Sequence, residues 1–179
     1  MKDLVIGLSL FGMVSACSPA PQAKDNVEED YCQYVNPFIG NADNGHTFPG
    51  ACAPFGLIQA SPESGVGSWR YCSGYNYEDN FIEGFAQTHL NGTGCPDLGD
   101  ILLFPFCGDI KDNTYKSEYD KSTQKASPGY YAVTLSDYGV DAEITATATQ
   151  LSIAINSTTK GRHVCWSTCN AVWSEARMR

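Results

Sequence analysis

The ten residues Val140–Thr149 alternate without a break. Val140, Ala142, Ile144, Ala146 and Ala148 fall on one face, and Asp141, Glu143, Thr145, Thr147 and Thr149 on the other. Successive side chains of a strand point to opposite faces, so this pattern predicts an antiparallel strand with one face on a core and one in water. Tyr130–Leu135 (YYAVTL) predicts a second strand after the turn former Ser127-Pro128-Gly129, and Ser136–Gly139 reads as the hairpin turn between them. Phe55–Ala60 and the apolar run Ile101–Phe106 predict two more, the latter weakened at its end by Pro105. Lys111–Lys125 reads as a charged loop or edge. Helical periodicity is scarce and no repeat is evident. The expected fold is mainly β: an antiparallel β-sandwich over residues 31–149.

Charge excludes one class of partner. The net charge is -9, and between Asp25 and Ile110 the only basic residue is Arg70, against 12 acids. Such a surface repels phosphate backbones, so no nucleic-acid partner is expected. Aromatic rings among carboxylates and amides suit neutral polyols, because rings cover C–H faces and acids accept hydroxyl protons. An acidic surface serving solubility alone is the plainer alternative.

The N-terminus reads as a targeting device. Leu4–Val14 is apolar but too short to span a bilayer, and has the size of a signal-peptide core. Val14-Ser15-Ala16-Cys17 resembles a bacterial lipobox. The expectation is a lipoprotein signal peptide at residues 1–17, acylation of Cys17, a membrane anchor, a flexible tether at residues 18–30, and export to the periplasm or outer membrane. Seven cysteines remain, and an odd number cannot pair completely. A Cys72–Cys95 disulfide is left open by the spacing. His89, Cys95 and Asp97 are the best local zinc candidates, set against a packing role; no metal site is assigned.

From Asn36 to Asp100 the texture changes: glycines are dense, with Phe38, Phe48, Trp69, Tyr71, Tyr75 and Tyr77 among them. Such loops turn sharply, approach ligands closely and commonly carry sites. No GxSxG, GxGxxG, Walker A or HExxH sequence occurs, so serine-hydrolase, nucleotide and zincin chemistry lack support.

The words of this segment are distinctive: YVNPFIG (34–40), HTFPGA (46–51), PFGLIQASP (54–62), CSGYNYED (72–79) and GFAQTHLNGTGCPDLGD (84–100), followed later by SPGYYAVTL and DAEITATA. In order and spacing they resemble the N-terminal domain of glycoside hydrolase family 92, the exo-acting α-mannosidases, over Tyr34–Thr149. The resemblance implies a β-sandwich that packs on an (α/α)6 helical barrel in the full-length enzyme, and inverting, calcium-dependent removal of terminal α-mannose from glycans such as N-glycans. Inversion needs a carboxylic acid and a carboxylate about 6.5–9.5 Å apart. In the family that pair and most calcium ligands come from the barrel, so no catalytic residue and no calcium are expected here.

What carries over is one wall of the mannose pocket. Trp69 stands where the family has a sugar-lining tryptophan; His46, Thr47 and Phe48 form a pocket-wall turn; His89 and Asp97 lie in the GTG block as further substrate-binding candidates. Asn41–Asn44, Asn76 and Ala86-Gln87 depart from the family pattern and bear on substrate contact. Residues 150–179 match no family block and read as a divergent or frameshifted tail, so a truncation before the barrel is expected. The expected partners are α-mannoside glycans and that barrel. The alternative is a free-standing, lipid-anchored glycan-binding module.

Overall fold

The computed structural model describes residues 29–65, 67–109, 115–157 and 169–174. The signal-peptide and Cys17 readings, and most of the tether, lie outside them. Tyr31–Arg179 forms one unit, separate from Met1–Asp30. Among the described residues there is no α-helix, only strands and three single-turn 3-10 helices, and no helix long and apolar enough to cross a membrane.

The strands are β1 (Ala51–Cys52), β2 (Gln59–Glu63), β3 (Phe81–Ile82), β4 (Gly84–Ala86), β5 (Leu102–Cys107), β6 (Ser117–Glu118), β7 (Lys125–Ser127), β8 (Tyr130–Leu135), β9 (Val140–Ala146), β10 (Leu151–Ser157) and β11 (Cys169–Ser174). One sheet has the order β1-β2-β4-β5-β11, a second β10-β9-β8-β7, and β3-β6 form a small ribbon. Every pairing is antiparallel. The antiparallel β-sandwich follows from the sequence pattern: Val140, Ala142 and Ile144 of β9 and Tyr131, Val133 and Leu135 of β8 share one core with Ile58, Ala60, Phe85, Phe104 and Phe106.

Two strands differ from the sequence reading for local reasons. The segment expected as a strand from Phe55 begins only at Gln59. Pro54 and Gly56 favour a turn, closed by the Gly56 N–H to the Ala53 carbonyl at 3.0 Å. Phe55 sits there at φ 59°, fully exposed. The alternating strand stops at Ala146 rather than Thr149, because the Thr147 hydroxyl accepts from the Thr149 and Gln150 N–H groups at 3.4 and 3.1 Å and turns the chain. The sheet then continues past residue 149: β10 pairs with β9 over all seven of its residues, and Leu151, Ile153 and Ile155 pack against the core. Pro105 lies within β5, opposite Ala171 of β11 and beyond Leu103, the one position where β4 pairs with β5.

A buried tyrosine cluster crosses the core. Tyr75 and Tyr131 both donate to Gln124 Oε1 at 2.8 Å, and the Tyr119 hydroxyl donates to the Asp79 carbonyl at 2.9 Å. Burial pushes all three phenols up, Tyr75 and Tyr131 well above the ordinary range. Each therefore stays protonated in the fold at a pH where the unfolded chain has begun to ionise. Stability is full below about pH 10 and falls above it, by about 1.4 kcal/mol per pH unit for each tyrosine. Urea midpoints measured across that range should drop with this slope, and Tyr131→Phe should make it shallower; an unchanged slope in the variant contradicts the assignment.

Candidate functional site

Three loops converge, within residues 36–50, 67–79 and 88–99. The Gly92 N–H donates to the His46 carbonyl at 2.6 Å, Ser73 Oγ to the Thr47 carbonyl at 3.0 Å, and the Tyr77 N–H to the Asn41 carbonyl at 2.7 Å. Backbone carbonyls thus tie the loops together and leave selected side chains free to face outward.

Trp69 is one of the side chains left outward. It begins the 3-10 turn Trp69–Tyr71 and keeps 60% of its surface exposed. The His46 ring meets it edge-on, centroids 4.8 Å apart at 82°. A Cβ on Gly94 would lie 2.8 Å from Trp69 Cη2, so glycine, at φ +63°, lets this loop close against the indole. Arg70 fixes the turn from behind, its guanidinium reaching Asn76 Oδ1 at 3.3 Å, Glu78 at 3.2 Å and Asp79 at 3.0 Å. The outward indole is held on several sides.

His46 stands at φ 52° and is 7% exposed, and its Nε2 has no hydrogen-bond partner. Phe48 is buried, its ring 5.1 Å from that of His89. The Thr47 hydroxyl faces its own loop, within reach of the Ile39 carbonyl at 2.8 Å and of Asn41 Oδ1.

His89 is turned inward. Its Nδ1 donates to the Gln59 carbonyl at 2.6 Å, and its Nε2 lies 2.9 Å from Glu63 Oε1. The second contact satisfies the ion-pair distance but not hydrogen-bond angles. Both side chains are sealed from water. His89 therefore braces Phe48 and β2 and presents no atom to a ligand. Asp97 is exposed and local: its Oδ1 accepts from the Leu98 N–H at 2.8 Å.

Of the residues singled out from sequence, the structure brings Trp69 to His46 and Phe48 to His89. It leaves Asp97 in its own turn and Thr47 on the inner side of its loop. His89, Cys95 and Asp97 do not form a three-ligand group, and no such cluster of His, Cys, Asp or Glu exists among the described residues. Cys72 and Cys95 are free thiols. Sequence reasoning missed Glu63, whose only signal is an acid at the end of an otherwise uncharged strand, and the clamp by Arg70, whose signal was its isolation among acids.

The sequence model of the glycosyl hydrolase family 92 N-terminal domain matches residues 34–150. The chain belongs to family 92. A family GH92 α-mannosidase from Bacteroides thetaiotaomicron, solved alone and with mannoimidazole, superposes with a TM-score of 0.68 at 42% identity, over 70% of this chain and 18% of its own. A GH92 inverting mannosidase from Bacteroides thetaiotaomicron VPI-5482, at 24% identity and TM-score 0.60 over 77% of this chain and 19% of its own, shares the fold. An uncharacterized secreted glycosidase of Arthroderma benhamiae is 37% identical over 129 residues, 67% of this chain and 16% of that protein. This family 92 chain thus spans less than a fifth of the length of these relatives.

Proposed function

We propose that this chain is the N-terminal β-sandwich portion of an exported, inverting, calcium-dependent exo-α-mannosidase, and that it supplies one wall of the mannose pocket. The observation that carries the reading is Trp69, a tryptophan held outward by His46, Gly94 and Arg70 instead of joining the core. A flat ring offers a C–H face of mannose a large apolar contact.

The acid and base belong elsewhere in this reading. Near the indole, Glu78 and Asp79 are engaged by Arg70, and Glu63 is buried against His89. None is placed as one of two facing carboxylates across a glycosidic bond. Calcium is assigned to the helical barrel of the whole enzyme on the family resemblance alone. Tyr34, Val35 and Ile39 are exposed and run onto a groove of ≈ 730 Å³ lined also by Phe48 and Pro54, an apolar face suited to that barrel. Export and the lipid anchor at Cys17 rest on the N-terminal sequence pattern.

Isothermal titration of the chain with methyl α-mannoside tests the reading. Half a pocket must order its ligand without the opposing contacts, so binding weaker than about 1 mM is expected. Tighter binding that Trp69→Ala abolishes would select the free-standing glycan-binding module and overturn the one-wall reading.

A further inference from the structure

β10 is the longest strand at a sheet edge among the described residues. Its pairing with β9 runs from Leu151 opposite Ala146 to Ser157 opposite Val140 without a bulge. Among the described residues no strand pairs with its other side, and no further backbone hydrogen bond reaches it. A row of backbone N–H and C=O groups therefore points outward, the kind of edge that takes up another strand. Edges are ordinarily blunted by shortness, charge or proline. β7 is short, begins at Lys125 and runs into Pro128; β1 is shorter still, with Pro54 close behind it. β10 has none of these guards: LSIAINS is 7 residues long, without a charge or a proline.

We infer that β10 is a dimerisation edge: two copies of this chain pair β10 to β10, antiparallel, across a two-fold axis at Ala154, and join their 4-stranded sheets into one. The strand suits a second copy of itself. Centred on Ala154, the pair sets Ile153 of one copy opposite Ile155 of the other, and Ser152 opposite Asn156. Opposed residues of an antiparallel pair share a face. Leu151, Ile153 and Ile155, which pack against the core, thus continue the core-facing side across the seam, and Ser152, Ala154 and Asn156 continue the other. Charge points to the same place. The chain carries a net charge of -9, so copies meeting through most of their surface repel. No charge enters this seam. Glu143, paired with Ala154, would lie roughly 14 Å from its counterpart, three strand spacings away, beyond the screening length of about 8 Å at physiological salt. The contact uses the same strand on both sides, so it closes at two copies and does not grow. The inference does not depend on mannoside binding.

Sedimentation velocity of the full chain over a concentration series at physiological salt tests it. A monomer–dimer equilibrium without larger species is expected. Ala154 is exposed, so Ala154→Lys spares the core but sets two ammonium groups side by side at the axis, where like charges directly opposite destabilise a pair. It should weaken dimerisation by about tenfold or more and leave the melting temperature of the dilute chain unchanged. The variant lowers the net negative charge, so general repulsion does not account for such a loss. Ser136→Lys makes the same charge change in an exposed turn and should leave dimerisation within about twofold. Hydrogen exchange of the unaltered chain gives a second readout: the β10 amides should gain protection as concentration rises through the transition. A chain still monomeric at about 100 μM, a dimer that Ala154→Lys leaves intact, or β10 amides equally protected at every concentration overturns the inference. In the last case another segment of the same chain covers the edge, or nothing does.

Discussion

Glu63→Ala is expected to destabilise the fold by about 2–5 kcal/mol, because it takes away a sealed side chain that His89 packs against and leaves the space it filled as a cavity. Glu63 has no exposed surface, and its carboxylate lies 2.9 Å from His89 Nε2. The strand around it is committed to the same spot. The Glu63 carbonyl accepts from the Glu83 N–H at 2.7 Å, and a Cβ on Gly74 would stand 2.5 Å from Glu63 Oε2, so Gly74, at φ +77°, lets the 72–77 loop pass over the carboxylate. After truncation, His89 keeps its bond to the Gln59 carbonyl but loses the acid at its other nitrogen, and a cavity opens beneath the loop. Glu63→Gln fills the same volume and can donate to a neutral His89 Nε2, so a loss of only about 1–2 kcal/mol is expected from it. Urea unfolding distinguishes the two variants. Equal losses in both would show that the carboxyl group itself, and not the volume it fills, carries the whole effect.

This pair also marks where sequence reasoning gave out. The hairpin of β8 and β9 was legible because period-two alternation and the Ser136–Gly139 turn are local signals, and both strands occupy their expected places. The end of β9 was not, because a hydroxyl at Thr147 competing for backbone N–H groups leaves no trace in hydrophobic periodicity. The start of β2 was misplaced because Phe55 and Leu57 look like strand residues, yet both lie exposed in a turn. Around the site, the sequence words pointed to Trp69, His46 and Phe48, which do lie in converging loops. That His89 faces a buried acid and not a ligand depends on Glu63, 26 positions away, and no local pattern reports such a contact. The tyrosine cluster on Gln124 is invisible for the same reason: Tyr75 and Gln124 meet across 49 residues.

The second large effect concerns Trp69. If its indole is a sugar-contacting wall, removing it should weaken transition-state binding and leave the fold nearly intact, since the ring is mostly exposed and the turn is held separately by Arg70. His46 would lose its edge contact and Gly94 its neighbour, a modest structural cost beside the loss of a stacking surface. The effect belongs on kcat/KM rather than on thermal stability, and an exposed edge-strand change such as Lys125→Ala should move neither.

The most direct measurement grafts residues 34–150 in place of the matching N-terminal segment of the Bacteroides thetaiotaomicron α-mannosidase that is 42% identical, and follows hydrolysis of an aryl α-mannoside. The grafted enzyme should turn over substrate, and Trp69→Ala within it should lower kcat/KM by about 10- to 100-fold with the melting temperature preserved. A grafted enzyme that is folded and active, but in which Trp69→Ala leaves kcat/KM within about twofold of the parent, contradicts the claim that this chain forms a wall of the mannose pocket.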